Sequence, residues 1–227
     1  MIRGYPREPS VFPGDDLQIC VATTANQFWV EFYHQGEHLE TPQTLPKQGG
    51  PMFPPKGAHA DPDSPAPAPG GSLGGDWGWQ GYSFTIPDDW SGVYVAILSE
   101  EQPNPPQFDA NKLAFGIDSK LLFVVKRKQA AAPFLYKLPL LTYHAYNYTG
   151  ETSLYSAPAY QDKDYRSWIS IRRPGGGTGG KPFFVRWPSD SSYDPFDPRS
   201  PNQNYTSLRN YFSHWDELFI SWLAMNN

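Results

Sequence analysis

Short apolar runs alternate with polar positions through the first half of the chain, and they predict strands. Leu17-Gln18-Ile19-Cys20-Val21-Ala22-Thr23 opens the series, and Phe28-Trp29-Val30-Glu31-Phe32-Tyr33 follows with partial alternation. Residues 82–86, 92–98 and 120–125 continue it. A Pro/Gly-rich loop over 41–75 interrupts the series, longer than the connections usual in a compact domain. Short strands between turn signals predict a mainly β fold, a β-sandwich. Cys20 on one strand and Trp29 on the next give that sandwich an immunoglobulin-like character. Ala96 stands where the second cysteine of such a domain would be, so Cys20 reads as a small buried hydrophobe.

The pattern changes after Lys128. Gln129-Ala130-Ala131-Ala132-Pro133 resembles a linker, the apolar run ending at Leu141 reads as a buried strand, and residues 167–171 read as another. The last segment carries a helical period: Leu208, Tyr211, Phe212, Trp215, Leu218, Phe219, Trp222 and Leu223 fall on one face. Thr206 or Ser207 can cap its start, and Asp216 and Glu217 lie on the opposite face. So wide an aromatic stripe needs a sheet to cover it, and left uncovered it predicts self-association. The expected organisation is a sandwich over 1–128, with the loop 41–75, and the N-terminal part of an α/β domain over 129–227.

Composition supports the β reading. Among 227 residues there are 25 prolines and 20 glycines, and 16% are aromatic, which favours strands and ordered loops. A net charge of -5 gives no attraction for nucleic acid or an anionic membrane. No apolar run approaches the roughly 18 residues of a membrane span. The N-terminus carries no secretory apolar core, and a single cysteine allows no intrachain disulfide. Together these fit a reducing, cytoplasmic location.

Candidate chemistry concentrates in residues 140–156, where Tyr143, Tyr146, Tyr148 and Tyr155 fall close together with His144 and Asn147 among them. The phenols could be packing, a sugar-binding platform or metal ligands. On a strand, Tyr143 and His144 would point to opposite faces. Trp77, Trp79 and Tyr82, beside the long loop, could stack on a glycan. The acidic turn Asp190 to Asp197 lacks the glycine and terminal glutamate of a calcium loop, and the glycines of 175–180 precede no Lys-Ser/Thr.

Two stretches taken together go further. One is Asp76-Trp77 followed by Ile86-Pro87-Asp88-Asp89-Trp90-Ser91-Gly92. The other is Thr142-Tyr143-His144-Ala145-Tyr146-Asn147, then Gly150 and Ser153-Leu154-Tyr155-Ser156. This order resembles the N,N-dimethylformamidase large (beta) subunit-like family, weakly before residue 76. The resemblance implies an immunoglobulin-like sandwich followed by a glutamine-amidotransferase-like α/β domain. It also implies hydrolysis of a small amide at a mononuclear iron held by two tyrosines and a glutamate. Tyr146 is the position that carries over as a metal ligand, with His144, Asn147, Tyr143 and Tyr155 as neighbours in the site. Where members of the family continue with Arg-Pro-Tyr, this chain has Arg173-Pro174-Gly175. The glutamate is expected well downstream, so a complete site needs a chain that continues past Asn227 or a glutamate from a second subunit or a second copy. The alternative is a non-catalytic binding or assembly module that recognises a glycan or a protein through its aromatic loop.

Overall fold

The structure, a computed structural model, describes residues 1–36, 51–64, 76–101, 119–129, 135–147, 149–150, 154, 169–175 and 212–226. Seven strands and two helices occur among them. In chain order they are β1 (Ile2–Pro6), β2 (Ser10–Val11), β3 (Asp16–Thr23), β4 (Trp29–His34), β5 (Gln80–Thr85), β6 (Gly92–Ser99), β7 (Lys120–Val125), α1 (Leu140–Tyr146) and α2 (Phe212–Met225).

The strands form two sheets, β1-β3-β5 and β2-β7-β6-β4. All pairs are antiparallel except β2 with β7. Period-2 alternation decides which side chains meet between the sheets. Leu17, Ile19 and Val21 from β3 meet Tyr94, Ala96 and Leu98 from β6 and Leu121, Phe123 and Val125 from β7 in one core. Trp90 stacks on Tyr94 with ring centroids 4.4 Å apart, and Phe32 packs edge-on against Phe84 and Phe123. Burying rings of this size supplies most of the drive to close the sandwich.

The alternate residues of the same strands face outward and are covered too. Cys20 and Ala22 lie under Tyr5, Trp79 and the half-buried Trp77 on the outside of the three-stranded sheet. Val95 and Leu122 lie under Tyr143 of α1 and Phe212 of α2 on the outside of the four-stranded sheet. Both outer faces are therefore covered in part, which is why β3 is continuously apolar from Ile19 to Ala22 and β6 from Val93 to Leu98.

The expected strands at 17–23, 28–33, 82–86, 92–98 and 120–125 are present within a residue or two. The apolar run ending at Leu141 is not a strand. It leads into α1, whose first turn hangs on the Pro139 carbonyl, accepting the amide of Thr142 at 2.9 Å. Proline is well placed at a helix start, where its missing N–H costs nothing. Leu140 and Tyr143, three apart on a helix, then share the face turned to the sheet. Residues 169–171 form no strand either, so the described part of 129–227 holds two helices and no strand.

Helix α2 also differs from its expected orientation. Phe212 and Asp216 are buried and Ile220 is half-buried, while Leu218, Phe219 and Trp222 are exposed. Asp216, expected on the polar face, is inside because the Tyr136 hydroxyl donates to its Oδ1. The start of the expected helix, 206–211, lies outside the described residues.

Candidate functional site

Helix α1 ends at Tyr146, and the chain then turns sharply. Asn147 builds that turn: its backbone N–H donates to the His144 carbonyl at 3.2 Å, and its Oδ1 accepts the Thr149 amide at 2.8 Å. Its Nδ2 donates to the Pro174 carbonyl at 2.7 Å. The buried Arg173 donates to the Thr149 carbonyl, and the Leu154 amide returns to the Ala145 carbonyl at 3.1 Å. Gly150, with φ of 78°, takes the left-handed conformation that lets the chain reverse. Finally the Gly175 amide donates to the Gly4 carbonyl at 3.2 Å, so the turn is moored to β1 through residues 173–175.

The sequence motif thus divides by role. Tyr143 is 1% exposed, its ring is part of the layer over Val95 and Leu122, and its hydroxyl has no partner among the described residues. His144 is also buried, and its Nδ1 has no partner among the described residues. Burial, reinforced by the Arg173 guanidinium, pushes its pKa down to about 4. The ring is therefore neutral near pH 7, and the same positive charge opposes a metal cation beside it. The strand reading, which sends Tyr143 and His144 to opposite faces, gives way to a helix with both buried. Asn147 fixes the turn. Tyr146, described by its backbone, stands at the last position of α1 between His144 and that turn.

A second polar knot lies outside the three-stranded sheet and explains the Asp76-Trp77 stretch. The Tyr5 hydroxyl donates to Asp76 Oδ1, which also accepts the Gly78 amide at 3.0 Å. The Trp77 amide donates to the Tyr5 oxygen at 3.3 Å, and Arg172 Nη1 lies 3.6 Å from Asp76 Oδ2. Burial and the neighbouring carboxylate push the Tyr5 phenol well above its ordinary pKa, so it stays a donor. Arg7 Nη2 reaches Cys20 Sγ at 3.7 Å, and burial raises the thiol's pKa. Cys20 is fully buried, as its reading as a small hydrophobe expects.

Trp79 and Tyr82 are buried, Trp79 against Tyr5 and Tyr82 edge-on to Phe28 at 4.9 Å. Trp77 is half-buried with its ring 5.1 Å from Trp79. These rings pack against each other and the sheets. Tyr148, Tyr155, the glycines 176–180, the acidic turn 190–197 and most of the loop 41–75 lie outside the described residues.

The family model for the N,N-dimethylformamidase beta subunit-like, C-terminal family matches residues 42–227, most of the chain. The chain belongs to that family. The match takes in β5 to β7, both helices, the Asp76 knot and the Tyr146 turn, while β1 to β4 precede it. No curated protein and no solved structure matches the chain. For this dimethylformamidase-like chain, no three His, Cys, Asp or Glu side chains come together to hold a metal among the described residues. The donor that fits a hard trivalent cation is phenol oxygen, and Tyr146 is its candidate. No helix among the described residues is long and apolar enough to cross a membrane.

Sequence reasoning missed Arg173, Thr149 and Pro174 as partners of the motif. Asn147 and Pro174 are 27 residues apart and Thr149 and Arg173 are 24 apart, and no local pattern joins either pair.

Proposed function

We propose that the chain contributes to an amide hydrolase of the N,N-dimethylformamidase type, acting on a small non-peptide amide, with Tyr146 as a ligand of a mononuclear iron. The family match over 42–227 carries this reading. The locked turn behind Tyr146 supports it, because a ligand or catalytic group must be held by a rigid backbone. When bound, such an ion polarises an amide carbonyl or lowers the pKa of water. The chain's own residues hold the place. Asn147 and Arg173 fix the turn, α1 presents Tyr146 at its end, and the sandwich excludes water from the sheet side of the helix.

Further donors would come from elsewhere in the same polypeptide or from another chain. A second subunit or a second copy is the partner this reading calls for, in keeping with a family named for a beta subunit. The exposed Leu218, Trp222 and Met225 on α2 are suited to such contact. The same reading makes the sandwich immunoglobulin-like. In its support, the consecutive β1 and β2 divide between the two sheets and β2 runs parallel to the last strand. The region after 129 would then be the opening of a glutamine-amidotransferase-like α/β domain.

The test is hydrolysis of small N-alkylated formamides and acetamides by the iron-loaded protein with any copurifying subunit retained, followed as amine release. Turnover that falls at least a hundredfold in Tyr146→Phe is expected. Iron-loaded, folded protein with its subunit and no turnover, or turnover unchanged in Tyr146→Phe, overturns the assignment.

A further inference from the structure

A cleft of about 770 Å³ opens on the outside of the four-stranded sheet, away from the Asp76 knot. Its floor is Val93 and Val124, and its far wall is Leu138, Ile220 and Leu223. Its volume is within the range of small-molecule sites, roughly 300–1,000 Å³.

Two features mark it out from a simple packing gap. The first is charge. Lys126, Arg127 and Lys137 line it and, among the described residues, no carboxylate does, on a chain whose net charge is -5. None of the three is in an ion pair among the described residues. Lys126 Nζ lies 4.2 Å from the centroid of the Phe12 ring, toward a neighbouring hollow that Phe12 lines, which leaves Arg127 and Lys137 as the cations directed to this cleft. The second is Gln35, 3% exposed and part of the lining. Its backbone amide is fixed on the Val93 carbonyl at 2.9 Å and its Nε2 reaches Ser221 Oγ at 3.3 Å, while its Oε1 has no partner among the described residues. A buried amide oxygen without a donor is costly unless something supplies one.

We propose that this cleft binds a small organic carboxylate with an apolar tail. The tail lies along Val93, Val124, Leu138 and Ile220. The carboxylate meets the cations at the rim, and a water completes Gln35 Oε1, since an ionised carboxylate has no proton to donate. The site is separate from the Tyr146 turn and does not depend on the amidase reading. A substrate amide is neutral, whereas this cleft selects for negative charge.

Calorimetric titration of the full chain with octanoate tests it, with octan-1-ol as the uncharged counterpart. Saturable one-to-one binding of octanoate is expected, weaker by about tenfold in the Lys126→Gln/Arg127→Gln/Lys137→Gln variant. Ala224→Phe, an exposed α2 position lining the cleft, is expected to abolish binding while circular dichroism shows an unchanged fold. Octanol binding as tightly as octanoate overturns the proposal, as does non-saturable uptake or indifference to the rim variant. A dimer in sedimentation that leaves octanoate unbound overturns it too, because a second copy then fills the cleft.

Discussion

On the outside of the three-stranded sheet, Cys20 and Ala22 lie beneath Tyr5 and Trp79, and the layer is pinned by one carboxylate, Asp76. On the outside of the four-stranded sheet, Val95 and Leu122 lie beneath Tyr143 and Phe212, and the layer is apolar. The first cover comes from residues on or beside the sandwich strands. The second comes from helices far along the chain. Both layers leave polar atoms buried with no partner among the described residues: Arg7 Nε and Trp77 Nε1 at the first, the Tyr143 hydroxyl, His144 Nδ1, Gln35 Oε1 and Asp216 Oδ2 at the second. The difference is that a hydrogen-bonded carboxylate pins the first cover, whereas the second is held by apolar packing and borders a cleft. Both candidate sites, the Tyr146 turn and the cleft, involve the second cover.

The clasp can be broken at its centre. Asp76→Ala strands the buried Tyr5 hydroxyl and releases the Gly78 amide and Arg172, so a loss of about 2–4 kcal/mol in urea denaturation is expected. A loss within the error of the measurement would make the first cover as dispensable as a surface ion pair.

The helical cover is sharpened by pH. His144 has its folded pKa lowered to about 4 by burial and by Arg173, the charged group identified beside it. The unfolded chain, with its histidine near 6.5, binds the proton more readily. Stability is therefore unaffected above about pH 6.5 and declines as pH falls towards 4, by roughly 3 kcal/mol at that end. His144→Gln is expected to flatten this limb. An unchanged slope would place the proton elsewhere.

The packing between the sheets, which neither cover reaches, is tested at Gly4, where an added Cβ would meet Leu98 Cδ1 at 2.7 Å and the Cys20 carbonyl at 2.8 Å. Gly4→Ala is expected to cost roughly 1–3 kcal/mol by overpacking. The smallest effect belongs to Tyr143→Phe. Removing a buried hydroxyl that has no partner is expected to be neutral or to stabilise by up to about 1 kcal/mol. A loss beyond about 1 kcal/mol would show that the phenol oxygen has a partner in the folded protein.

Five of the seven strands were legible because one or both faces alternate cleanly, as in Leu17-Gln18-Ile19. β1 was not, since Gly4 and Pro6 disguise a strand that only close packing and an edge position permit. α1 was misread from its leucines, although Pro139 before it and Asn147 after it are start and stop signals for a helix. The buried Asp216 was not legible at all, because its partner Tyr136 is 80 residues away and the helical period alone assigns it to solvent. Tyr146 stood out from its motif. The lock that positions it is local where Asn147 holds Thr149 and tertiary where Arg173 and Pro174 close it from 24 and 27 residues away.

The most direct measurement is the metal content and visible spectrum of the purified chain, native and Tyr146→Phe, with any copurifying subunit retained. The account predicts close to one iron per chain with a phenolate-to-iron absorption band, and loss of both band and metal in a variant that keeps its fold. Iron-free protein that takes up none on reconstitution, or iron and band unchanged in Tyr146→Phe, would contradict it.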